Sequence, residues 1–142
     1  MINSFKDEYR FLSNFWPALV EFEDNVYPSV EHAYQAAKTL DQDYRERIYF
    51  APTPSVAKIL GRQAPLREDW EEVKIDIMRN LLVQKFSIFE LKSKLLATGN
   101  EELIEGNWWG DTFWGVCNGV GHNMLGKLLM EIREEIRNDI NN

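Results

Sequence analysis

One cysteine, Cys117, cannot close a disulfide within the chain, and with only His32 and His122 beside it no zinc-ligand set of ordinary spacing can be assembled. Neither a metal site nor the disulfide framework of a small secreted domain is expected. No apolar run approaches the roughly 18 residues needed to span a bilayer, and residues 1–10 lack the charged-then-apolar order of a signal peptide. The expectation is a cytoplasmic protein with no membrane partner. Basic residues are also short, since 16 Lys and Arg stand against 23 Asp and Glu for a net charge of -7. That balance argues against broad, salt-driven attachment to a nucleic-acid backbone, while leaving room for a single nucleotide taken into a pocket. Internal repeats, linkers and low-complexity stretches are missing as well, so residues 1–142 read as a single domain.

What is present is patterned. Residues 18–27 alternate apolar and polar until Glu23-Asp24-Asn25 supplies turn residues, which predicts a small hairpin. From Ser29 the period changes. Ser29 is a candidate N-cap, and Val30, Ala33, Tyr34 and Ala37 follow at helical spacing, predicting a helix to about residue 40. Asp41 can cap a second helix over 43–51 with Tyr44, Ile48 and Tyr49 on its buried stripe. Thr53-Pro54 opens a short third helix and Gly61 marks its stop. The longest helical pattern runs over 69–86 and is continued over 88–97 before Gly99 ends it. A last helix is predicted from about residue 122 to residue 138. The architecture expected is mainly α, a compact single-domain helical bundle with a small N-terminal β-hairpin.

Three constellations carry chemistry. Glu31, Gln35 and Lys38 stand at i, i+4 and i+7, which confines them to an arc of about 60° on one helix. They read either as a solvated edge or as a carboxylate, an amide and an amine facing one cleft. Six of the eight glycines and three of the five tryptophans fall between Gly106 and Gly126, a loop. Its segment 105–115, with Glu105, Trp108, Trp109, Asp111 and Trp114 among glycines, suits stacking on a flat heterocycle and stabilising cationic character at a sugar carbon. The plainer reading is a loop that plugs its own tryptophans into the core. Residues 121–128 nearly match a P-loop, but Leu128 replaces the hydroxyl that would hold Mg²⁺. What survives is a glycine-rich turn at a helix N-terminus as a seat for phosphate, against simple capping by His122 or Asn123. No serine sits in a nucleophile elbow, and Cys117 lacks a convincing partner base.

Taken in order, Leu12-Ser13-Asn14-Phe15, Ser29-Val30-Glu31-His32 with Gln35-Ala36-Ala37-Lys38, Leu60-Gly61-Arg62, Trp70, Lys85-Phe86, Glu105, Asp111 with Trp114-Gly115, and Gly121 with Asn123 resemble the NADAR family, also called YbiA-like. The resemblance covers nearly the whole chain. It implies an N-glycosidase that hydrolyses the bond between a ribose, in ADP-ribose or a phosphoribosyl group, and a nitrogen heterocycle. Removal of ADP-ribose from guanine and cleavage of riboflavin-pathway intermediates are the examples it suggests. No cofactor is implied, and the partner is a small-molecule nucleotide or ADP-ribose conjugate, or an ADP-ribosylated base in nucleic acid. A non-catalytic module that binds ADP-ribose or an NAD derivative is the alternative. By matching motif positions, Glu31, Lys38 and Asp111 are the catalytic candidates, and Asn14, Gln35, Trp70, Glu105, Trp114, Gly115 and Asn123 the substrate-binding ones. The chain departs from the family pattern after Trp114-Gly115, where Val116-Cys117-Asn118 replaces the glycine or aspartate many members carry.

Overall fold

Glu23 and Asp24 both adopt left-handed backbone, φ 44° and 70°, the geometry a two-residue turn needs to match the twist of the strands it joins. They connect β1 (Pro17–Phe22) to β2 (Asn25–Ser29) in an antiparallel hairpin whose last pair is Phe22 with Asn25, so the expected N-terminal ribbon is true sheet. The structure is a computed structural model describing residues 1–142, with seven helices and the hairpin, and it is mainly α as expected. Two compact units are distinguished, one of residues 14–85 and one of residues 1–13 with 86–142. No helix is long and apolar enough to cross a membrane.

In the 14–85 unit, α1 (Val30–Ala37) is the element around which the others gather. It packs against the hairpin, α2 (Gln42–Tyr49), α3 (Pro54–Gln63) and α4 (Trp70–Lys85). All eight of its residues are buried. Ser29 caps it as expected, its Oγ accepting from the His32 backbone N–H at 3.0 Å, a contact worth about 1 kcal/mol. The helix ends about three residues before residue 40, because arginines take its last carbonyls. Arg45 Nε donates to the carbonyls of Ala36 (3.1 Å) and Thr39 (2.7 Å), and Arg67 Nη1 donates to that of Ala37 (3.3 Å). Cationic donors at a helix C-terminus satisfy orphan carbonyls and oppose the macrodipole. The buried stripe expected on α2 is corrected accordingly: Ile48 is buried, but Tyr49 is exposed and Arg45 takes the inward position. Arg45 also pairs with Glu23 and lies 5.3 Å from the Phe22 ring centroid.

Thr53 caps α3, its Oγ1 accepting from Val56 N–H at 3.2 Å, but the helix runs through Gly61 to Gln63. Gly61 is therefore not a stop signal. It lies on the buried side of α3 with Ala57, while Ile59 is exposed. At the end of α4 the fully buried Lys85 precedes a turn over 86–88, so α5 (Phe89–Ala97) is a separate helix and not a continuation. Burial pulls the Lys85 ammonium down to about 7.

In the other unit a 3-10 helix over Asp7–Leu12 buries Phe11 and Leu12. Ile2 pairs with Leu103, and the two-residue strands β3 (Gly106–Asn107) and β4 (Val116–Cys117) pair in parallel. The last helix, α6 (Met124–Asn141), starts later and ends later than expected, and at 18 residues it exceeds the 16 of α4. Its Arg133 donates to Thr98 Oγ1 at 2.8 Å and its Arg137 to the Gly99 carbonyl at 2.7 Å, closing the C-terminus of α5.

Replacing Arg45 by Met removes the side-chain donor to the Thr39 carbonyl and one of the donors to that of Ala36, and is expected to cost about 2 kcal/mol. The check is a urea midpoint that falls while the slope stays unchanged; a midpoint equal to wild type contradicts this account of the helix end. Lys85 makes a separate prediction. Its folded-state pKa of about 7 lies below the unfolded value of 10.5, so between those values the unfolded chain holds more protons. Stability is expected to rise with pH across that window, and Lys85→Met to flatten the rise in denaturant titrations at pH 7, 8.5 and 10.

Candidate functional site

Glu31 and Gln35 lie one turn apart on α1 and are 7% and 2% exposed, so the row is not a solvated edge. Gln35 Nε2 donates to Glu31 Oε1 at 2.7 Å, inside protein, where little water competes for the carboxylate. Glu31 also stands in the first turn of α1, where the helix dipole favours negative charge. The other end of the Gln35 amide, Oε1, is buried and accepts no hydrogen bond. It rests against Gly61 of α3 so closely that a Cβ there would lie 1.9 Å from it.

Asn14 is held beside this pair by its backbone, its carbonyl accepting from Glu31 N–H at 3.1 Å. Its side-chain Nδ2 lies 3.6 Å from Met78 Sδ, and its Oδ1 is a buried acceptor without a protein donor. Lys38 follows the last turn of α1, half-buried, with Nζ 5.5 Å from the Tyr34 ring centroid, a favourable seat for an ammonium. The Tyr34 ring in turn packs on Trp70 at 5.2 Å and 59°, and Trp70 is itself buried. Of the predicted residues the 14–85 unit thus holds Asn14 and Gln35 against Glu31, and Lys38 and Trp70 against Tyr34.

His32, between these groups in sequence, has a structural role. The Ala51 carbonyl, 3.0 Å from Nε2, can only accept, so Nε2 carries the hydrogen and Nδ1 accepts from the Ser29 hydroxyl at 2.7 Å. Burial holds this imidazole below the ordinary histidine value, and the Ala51 carbonyl only partly offsets it.

The remaining predicted residues belong to the other unit and are organised around loop closure. Asp111 Oδ1 accepts from the backbone N–H groups of Phe113 (3.1 Å) and Trp114 (2.9 Å). Asn107 Oδ1 accepts from Asp111 N–H at 3.0 Å, while its Nδ2 donates to the Asp111 carbonyl (2.9 Å) and to Glu105 Oε2 (3.1 Å). Gly115 packs on the same carboxylate; a Cβ there would sit 1.8 Å from Glu105 Oε2. Trp114 is half-buried against the Phe113 ring, 4.8 Å away and edge-on. The idea that the loop plugs all its tryptophans into the core fails. Trp108 is 85% exposed and Trp109 47%, and the two meet edge to face at 5.7 Å.

The phosphate seat at the start of α6 is also overturned. The N–H groups of His122, Asn123, Met124 and Leu125 already donate to the carbonyls of Thr112, Gly115, Phe113 and Trp114, at 2.8 to 3.2 Å. A loop folded back on the helix end has occupied the donors an anion would need. Nor does Asn123 cap the helix with its side chain. Its backbone is left-handed, its Oδ1 accepts from Glu105 N–H (2.9 Å), and its Nδ2 donates to the Leu103 carbonyl (2.9 Å).

Sequence reasoning missed Gly61 and Arg45. The signal for Gly61 was its spacing of four from Ala57, a small-residue face suited to the alanines of α1. Arg45 carried none, because a buried arginine declares itself only through the carbonyls it meets.

The NADAR domain family model matches residues 2–137. The chain is 43% identical over 137 residues to the N-glycosidase YbiA of Shigella flexneri, covering 94% of this chain and 85% of the relative. It is 37% identical over 135 residues to a riboflavin biosynthesis protein of Vibrio vulnificus, covering 92% of this chain but only 36% of that longer protein. Among solved structures it matches the NMR structure of Escherichia coli YbiA with a TM-score of 0.85 at 38% identity, covering 100% of this chain and 90% of that one. The chain belongs to the NADAR family.

Proposed function

We propose that this chain is an N-glycosidase that hydrolyses the bond between a ribose and a nitrogen heterocycle, with Glu31 and Lys38 as its catalytic residues. The observation that carries the reading is the desolvated Glu31 carboxylate held by Gln35 on a wholly buried helix. A solvated carboxylate does little for a developing sugar cation, whereas one in a low-dielectric setting interacts with it several times more strongly. The kinship with proteins named N-glycosidase supports the same reaction.

Two routes fit these groups. In one, Glu31 stabilises an oxocarbenium-like ribosyl centre or directs water to it, while an acid protonates the departing base. In the other, the Lys38 ammonium first gives its proton to water, the free amine attacks the anomeric carbon, the ribose ring opens, the heterocycle leaves with a proton, and water hydrolyses the resulting imine. For an ADP-ribose conjugate we favour the second route. The proposed partner is a small-molecule nucleotide or ADP-ribose conjugate; an ADP-ribosylated guanine in nucleic acid and a riboflavin-pathway intermediate are its candidate forms. The net charge of -7 supports a small molecule or one exposed nucleotide over extended duplex. Asp111 offers the reaction only Oδ2, since Oδ1 is committed to the loop backbone.

Candidate ribosylated heterocycles are incubated with the protein and free base is followed by mass. Glu31→Gln is expected to lower turnover by about 100-fold or more while the protein stays folded. Borohydride is expected to trap an adduct on wild type that Lys38→Ala does not form. Normal turnover by Lys38→Ala rules out the imine route, and saturable binding with no release of base rules out the enzyme. Asp111→Asn keeps the Oδ1 acceptor and removes the charge, so full activity in that variant confines Asp111 to shaping its loop.

A further inference from the structure

Gly61 sits in the interior of α3, where glycine is the poorest helix former after proline and alanine would ordinarily stabilise. Its backbone conformation does not require glycine. What requires it is Gln35: a Cβ on residue 61 would stand 1.9 Å from Gln35 Oε1, 2.7 Å from Cδ and 3.0 Å from Cβ. The Gln35 side chain cannot swing away to make room, because it is 2% exposed and its Nε2 is committed to Glu31 at 2.7 Å.

We propose that Gly61 and Gln35 are positioning residues for the reaction: the bare backbone of α3 at Gly61 seats the Gln35 amide so that its N–H end clamps the Glu31 carboxylate. The amide orientation follows from its two neighbours. Turned the other way, Oε1 would face the Glu31 carboxylate oxygen and Nε2 would face a Cα that accepts nothing. Oε1 has no hydrogen-bond donor in this arrangement, and one N–H of Nε2 holds Glu31. Gln35, 2% exposed, bonded to Glu31 and pressed on Gly61, is placed to act through Glu31. This inference rests on the reading of Glu31 as the catalytic carboxylate, and it adds α3, an element that carries none of the predicted site residues, to the machinery.

The test is a coupled set of variants on the full chain, with kcat and KM measured on a substrate the wild type cleaves and folding checked by circular dichroism. Gly61→Ala pushes the amide off its seat, and Gln35→Met keeps side-chain length while removing the donor. Each is expected to lower kcat by about 10- to 100-fold, the worth of one hydrogen bond to a charged group, with KM within about twofold. The decisive measurement is the double variant Gly61→Ala with Gln35→Ala, in which the new methyl meets no amide. Its kcat is expected to equal that of Gln35→Ala alone. A folded Gly61→Ala with wild-type kcat overturns the proposal, as does a Gly61→Ala loss that persists undiminished in the Gln35→Ala background. Should Gly61→Ala not fold, Gln35→Met combined with Glu31→Gln decides: losses that multiply overturn the proposal, and a shared loss supports it. Wild-type kcat in Glu31→Gln signals failure of the underlying catalytic reading, whereas an inactive Glu31→Gln beside a fully active Gly61→Ala signals failure of this inference alone.

Discussion

A buried carboxylate clamped by a neighbouring amide, Glu31 by Gln35, constrains much of what surrounds it in the 14–85 unit. Taking an ionised carboxylate out of water costs several kcal/mol unless hydrogen bonds replace its hydration. Here the Gln35 N–H at 2.7 Å and the positive end of α1 contribute to that replacement. The hairpin, α2, α3 and α4 pack on this helix and keep both contributions away from competing water. The alanines of α1 are small enough for those neighbours to come close, and Gly61 lets α3 come closest of all, onto the amide itself.

The same logic governs the helix ends, where four orphan carbonyls or N–H groups must each find a partner. Arg45 and Arg67 close α1 and so fix where Lys38 leaves the helix, half-buried over Tyr34 and not loose on a longer helix. Arg133 and Arg137 do the same for α5. At the start of α6 the partners are the carbonyls of Thr112 to Gly115 in the aromatic loop, which removes an anion seat and ties that part of the loop to the helix. Each end determines whether a chemically active residue beside it is presented or used up.

Much of this was legible before the structure. Ser29, Asp41 and Thr53 announce their helices because a side-chain oxygen at the N-cap has a local partner, and all three accept from the backbone N–H three residues on. The hairpin was legible because Glu23-Asp24-Asn25 tolerates left-handed backbone. Less legible was everything set by long-range contact. Gly61 reads locally as a stop, Arg45 as a solvated charge, and Asn123 as a cap; each is turned to another purpose by a group distant in sequence. The polar row shows the division well, since its spacing predicted a shared face for Glu31, Gln35 and Lys38 but not that the face would be covered.

The central claim is that the Glu31 carboxylate and the Lys38 amine are the groups that meet the sugar. A structure of Glu31→Gln soaked with a ribosylated heterocycle tests it most directly. The account predicts the anomeric carbon within about 4 Å of the residue 31 side chain and of Lys38 Nζ, a near-attack separation. An anomeric carbon bound elsewhere, with residue 31 still sealed beneath protein and Lys38 still resting on Tyr34, would contradict it.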